Sequence, residues 1–175
     1  MMTMNRALLA LTACLLPTLA AAQPAPEHQK VLALLSAIDT PATKAQLLRA
    51  SPQAESILLS VVTDGQAAPW HRDRALSALG MFPSPQVQVV LLGLLRNEQA
   101  GELRRSRALL AYGAAFSDAA IPKAASFLAE SSPVLRATAV QALGRIATPK
   151  ARAALMRAIK THPELRQSVE RALKR

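Results

Sequence analysis

Lys150, Arg157 and Lys160 are spaced so that they fall on one side of a helix, opposite Leu155 and Ile159. Three cations on one face do the chemistry of anion recognition, holding carboxylates, phosphates or an acidic surface. Arg145 ends the preceding segment, Arg152 sits nearer the apolar edge, Arg166 follows, and Arg171, Lys174 and Arg175 close the chain. The charge is local: residues 131–175 carry ten Lys/Arg against two Asp/Glu, whereas residues 23–130 carry ten against nine. The plainer alternative is a solvated polar cap, because Lys and Arg near helix C-termini also complement the helix dipole.

Other chemistry is sparse. His28, His71 and His162 lie far apart, with no HExxH and no His–Glu pairing, so no metal is expected. The single cysteine, Cys14, lies in the first residues, and no Gly-rich phosphate loop or G-x-S-x-G occurs. Glu98 and Glu102 are separated by Gly101, which argues against a shared catalytic face. No catalytic residue and no cofactor is therefore expected. Trp70, the only tryptophan, aligns with Leu103 and Val134, which points to a packing slot between repeats; a binding anchor is the second reading, since tryptophan is enriched in interface hot spots.

The elements that position these residues follow from a repeat. Ser51, Ser84, Ser117 and Thr148 recur at steps of 33, 33 and 31 residues, each followed by Pro or Asp. Gly80, Gly113 and Gly144 stand four residues before the last three and close the pattern R-x-x-A-x-x-A-x-G from Arg72, Arg105 and Arg136. A period in the low thirties is the mark of a stacked repeat. Thr40-Pro41, Ser51-Pro52, Ser84-Pro85, Ser132-Pro133 and Thr148-Pro149 read as helix starts, a capping hydroxyl before a proline that loses no donor at the first helical position. Ser117-Asp118 is the variant, its carboxylate favoured by the dipole. These signals predict helix pairs at about 41–50/52–63, 70–80/85–96, 102–115/118–130 and 133–146/149–161, with single helices at 28–38 and 163–174 and no sheet. Each glycine is expected to form a left-handed helix C-cap, and the alanines five and two residues before it to let helices approach closely.

The segments from Arg72, Arg105 and Arg136 resemble HEAT repeats of the short bacterial type first noted in phycobilisome lyases, with Ser132 to Gly144 as the nearest match. The resemblance covers about residues 41–175. It implies an all-α fold, a right-handed α-solenoid of about four to five HEAT-like helix pairs whose second helices line the concave surface. It also implies that Arg72, Arg105 and Arg136 bridge to acids in the preceding loops, for which Asp64, Glu98 and Glu130 are in place. Arg166 has Thr161 there instead, which leaves it to bind a partner. HEAT-type hydroxylases hold iron with His–Glu pairs, which this chain lacks. HEAT repeats serve many unrelated scaffolds, so the fold alone names no function.

Residues 1–22 read as a signal peptide: Arg6, an apolar run from Ala7 to Leu19, and small residues Ala20–Ala22 before Gln23. Leu11-Thr12-Ala13-Cys14 resembles a lipobox, which makes a lipoprotein acylated at Cys14 the second reading. Residues 23–27 form a spacer and 28–175 the solenoid. The expected protein is an exported, periplasmic, monomeric adaptor without catalytic activity. It binds a protein or peptide, acidic at the C-terminal end and more apolar near Gln86, Val89 and Gly93. Partner-binding candidates are Lys150, Arg157, Lys160, Arg166, Arg145 and Trp70. An anionic membrane surface is the alternative partner and a lyase-like enzyme the remote one. Export, and aromatics at 3%, too few to stack on bases, argue against nucleic acid.

Overall fold

A computed structural model describes residues 25–37 and 40–174; the expected leader, with Cys14, and Arg175 lie outside them. Among the described residues every element is helical. Helix α1 (Pro26–Ser36) packs on the pair α2 (Lys44–Ala50) and α3 (Ala54–Thr63) and on α4 (Pro69–Leu79). Helix α4 packs on α3, and α5 (Pro85–Arg96) packs on α6 (Glu102–Phe116), which also meets α7 (Ile121–Ser126). Next come the pair α8 (Pro133–Ile146) and α9 (Pro149–Thr161), then α10 (Arg166–Leu173). The first helices α4, α6, α8 and α10 pack successively on one another, which makes the molecule a stacked helical array consistent with an α-solenoid.

Leucines and alanines fill one continuous core, with Leu58, Leu79, Leu91, Leu109, Leu143 and Leu155 fully enclosed and Phe127 the largest side chain that is fully buried. Burying each such leucine contributes roughly 1.5–3 kcal/mol, and with no cysteine after Cys14 this packing carries the fold.

The glycines do a different job from the one the sequence suggests. Gly80 is right-handed (φ −58°, ψ −15°), and α6 and α8 run on past Gly113 and Gly144. The left-handed C-cap belongs to Ala147 at φ 56°. Each glycine instead faces an alanine of the next first helix. A methyl at Gly80 would lie 3.2 Å from the Ala111 backbone, one at Gly113 3.5 Å from the Ala142 methyl, and one at Gly144 2.9 Å from the Ala172 methyl. Close approach, rather than backbone handedness, fixes Gly80 and Gly144, while Gly113 meets only ordinary contacts.

The repeated hydroxyls cap three helices as expected: Ser84 accepts from the Val87 amide, Ser132 from Leu135 and Thr148 from Ala151. Three starts differ. Helix α2 begins after Thr43 rather than Thr40, because Thr43 and Gln46 form a capping box that satisfies two backbone donors at once. Ser51 is buried in a turn, where it accepts from the Gln53 amide, and α3 follows three residues later. Ser117 caps nothing. It closes α6 at φ 47°, and 3-10 turns at Ser117–Ala120 and Phe127–Ala129 flank a short α7 where the sequence predicts one long helix.

Three of the repeated hydroxyls, Ser51, Ser84 and Thr148, also donate to a carboxylate of the preceding unit. Ser51 bonds Glu27, Ser84 bonds Glu55, and Thr148 bonds Asp118 at 2.6 Å. A second set of links joins the first helices: Arg107 pairs with Asp73 at 2.5 Å, and at the corresponding places of the next interface Thr138, which donates to the Val134 carbonyl, accepts from the Ser106 hydroxyl at 3.2 Å.

Candidate functional site

The packing slot expected for Trp70 is absent. Trp70, Leu103 and Val134 are 48%, 62% and 49% exposed and form a row along the first turns of α4, α6 and α8. The reason is helical phase. Trp70 stands seven residues before the exposed Ser77, on the face turned to solvent rather than to Ala75 and Leu79. Its ring lies on His71, with centroids 3.5 Å apart.

His71 is held between helices. The Ser36 hydroxyl donates to the Leu32 carbonyl at 2.9 Å, which leaves its oxygen to accept from His71 Nε2 at 3.0 Å. Burial, and secondarily the nearby Arg74 guanidinium, lowers the imidazole pKa below 6.5. Arg74 itself donates to the carbonyls of Leu35 and Ala37, tying α4 to the end of α1.

The repeated arginines are structural in a pattern different from the ladder the resemblance implied. Arg105 reaches forward to Glu130 at 2.9 Å, donates to the Leu95 carbonyl, and lies over the Phe127 ring. Glu130 therefore turns its carboxylate to Arg105 and offers only its carbonyl to Arg136, which also takes the Ser131 carbonyl. Among the described residues no ion pair joins Arg72 to Asp64 or Arg105 to Glu98. Arg166 is exposed, and among the described residues it too has no ion pair.

The basic candidates fall into two groups on different sides of the array. Lys150, Arg157 and Lys160 are exposed on α9, and Lys150 lies 3.5 Å from Asp118. Arg157 lines a groove of about 230 Å³ between α7 and α9, floored by Leu128, Ala154 and Ala158 and bounded by His162. Met156, beside Arg157 in sequence, is exposed as well. Arg145 belongs to neither that helix nor that groove. With Arg171 it lines a larger groove, about 430 Å³, between the first helices α8 and α10. The sequence presents Arg171 only as a chain-end charge and hides its pairing with Arg145; the signal that could have found it is the repeat register. Trp70 is remote from both groups in the stacking order.

Among the described residues no three His, Cys, Asp or Glu side chains gather as metal ligands, and no helix is long and apolar enough to cross a membrane.

Residues 105–174 match the family model for HEAT repeats. The match supports a HEAT-like repeat protein. The matched HEAT-like segment starts at the first of the in-register arginines with an ion pair and contains both grooves, so the basic surface is built on HEAT-like units. No curated protein matches the chain.

Proposed function

We propose that this chain is an exported, non-catalytic adaptor: a right-handed solenoid of about four to five HEAT-like pairs that holds an acidic protein or peptide on the surface formed by its second helices. The observation that carries this reading is the α7–α9 groove. Its floor is apolar, Arg157 stands on its rim, and Lys160 is exposed one turn further along α9. Export rests on Arg6, the Ala7–Leu19 run and Ala20–Ala22, and the periplasm is the compartment that fits. The subtype likeness to phycobilisome lyases brings no candidate catalytic group with it.

The test is affinity capture from a periplasmic extract at low and moderate salt, with a Lys150→Glu/Arg157→Glu/Lys160→Glu variant alongside. A stoichiometric partner that the wild type retains and the variant loses supports the reading. A partner retained equally by both proteins sinks the proposed surface.

A second reading, a peripheral binder of anionic lipid, is favoured by the exposure of Arg152, Arg157, Lys160, Arg166 and Lys174 along α9 and the chain end. It requires sedimentation with anionic vesicles that weakens as salt rises, each cation contributing about 1 kcal/mol.

A further inference from the structure

The first helices carry a second basic site that the repeat does not need. Two register positions stand beside each glycine–alanine contact between consecutive first helices: the residue after the glycine, and the residue three before the glycine position of the next helix. Between α4 and α6 these are Met81 and Leu110, and between α6 and α8 they are Ala114 and Gln141. Only between α8 and α10 are both arginine, Arg145 and Arg171. The same close packing, Gly144 against Ala172, thus forms with and without cations beside it.

Both arginines are exposed and line the groove of about 430 Å³ together with Ala137, Val140, Gln141 and Ser168. Among the described residues neither has an acidic partner. Arg171 is steadied by the Gln167 carbonyl at 3.3 Å and the Ser168 hydroxyl at 3.5 Å, which leaves other donors of its guanidinium to project into the groove. Two like charges at one groove repel until an anion joins them, and the guanidinium fork is built for carboxylates.

We propose that the groove between α8 and α10 is a docking site for an acidic segment of a partner protein, its Asp or Glu carboxylates held by Arg145 and Arg171 and its small side chains laid on Ala137 and Val140. The site shares no residue with the α9 surface, so either can fail alone.

The test is fluorescence anisotropy of the full chain with a short, end-capped, labelled alternating Glu–Ala peptide at low salt. Arg145→Ala and Arg171→Ala each weaken binding about tenfold, and the pair by more. Gln141→Glu, which leaves both arginines in place, also weakens it by setting a carboxylate on the groove wall. Circular dichroism reports whether the variants fold, and Gln141→Glu carries the test if the double variant does not. Three outcomes overturn the proposal: a Gln–Ala peptide that binds equally well, binding lost with Lys150→Ala/Arg157→Ala/Lys160→Ala but kept without the groove arginines, or phosphatidylserine vesicles that engage Arg145 and Arg171 while the peptide does not.

Discussion

The Ser84 hydroxyl donates a hydrogen bond to the Glu55 carboxylate of the preceding repeat and accepts one from the Val87 amide of its own helix. One side chain thereby starts a helix and ties it to its neighbour. The same double use recurs at Thr148, which donates to Asp118 and accepts from Ala151.

Ser84→Ala should therefore cost more than an ordinary cap. Loss of the cap contributes about 1 kcal/mol and loss of a hydrogen bond to a charged group about 1.5–3 kcal/mol. Glu55→Gln should remove only the second part. Urea unfolding of both variants and the double variant checks this: purely additive costs would show that the hydroxyl and the carboxylate are not coupled.

The glycines should respond to alanine in a set order. Gly93 lies inside α5 with nothing within 4 Å of where an added methyl would sit, so Gly93→Ala should stabilise by about 0.5–1 kcal/mol. Gly113→Ala meets ordinary contacts and should be near neutral. Gly80→Ala presses on the Ala111 backbone and Gly144→Ala on the Ala172 methyl, and each should cost about 1–3 kcal/mol through overpacking. Thermal midpoints in any other order would mean that helix spacing does not set these positions.

Trp70→Ala should cost about 1 kcal/mol, because nearly half of the residue faces solvent while its ring still lies on His71. A buried tryptophan would cost about 3–5 kcal/mol. Red-shifted fluorescence and ready quenching of the wild type by acrylamide would report the same exposure.

His71 gives stability a pH dependence. Its folded-state pKa lies below 6.5, so near that pH the unfolded chain binds the proton more readily. The contribution is complete above about 6.5 and is lost as pH falls through the folded value. Titration of the ring by NMR should show the lowered midpoint. His71→Gln, which keeps a donor toward Ser36, should flatten the stability profile below about pH 6.5.

Much of the fold was legible in the sequence because hydroxyl–proline starts and the recurring glycine are local signals. The bounds of α5, α8 and α9 match the predicted spans 85–96, 133–146 and 149–161. What escaped depended on neighbours. Pro41 favoured a start at Thr40, and the Thr43–Gln46 capping box outweighs it. The glycine's role is visible only once the facing alanine is in place. The phase that turns Trp70 outward was available from its spacing to Ser77, but the alignment with Leu103 and Val134 suggested burial because all three are apolar. Among the site candidates, charge clustering marked the right region, but separating Arg145 from Lys150 needed the two sides of the array.

The rungs made by hydroxyl and carboxylate are not continuous. Ser84 is followed at the place of Glu55 by Gln88, which offers no charged acceptor, and Ser117 sits at a positive φ with no cap bond. Rungs join Glu27 to Ser51, Glu55 to Ser84 and Asp118 to Thr148, but none crosses from α5 to the turn at Ser117. The array is therefore two laced blocks held across this seam by apolar packing and by the Arg107–Asp73, Arg104–Val62 and Arg105–Leu95 contacts of α6. Under tension, or in slow amide exchange, such a seam is where one block parts from the other while each stays closed, and both grooves belong to the C-terminal block.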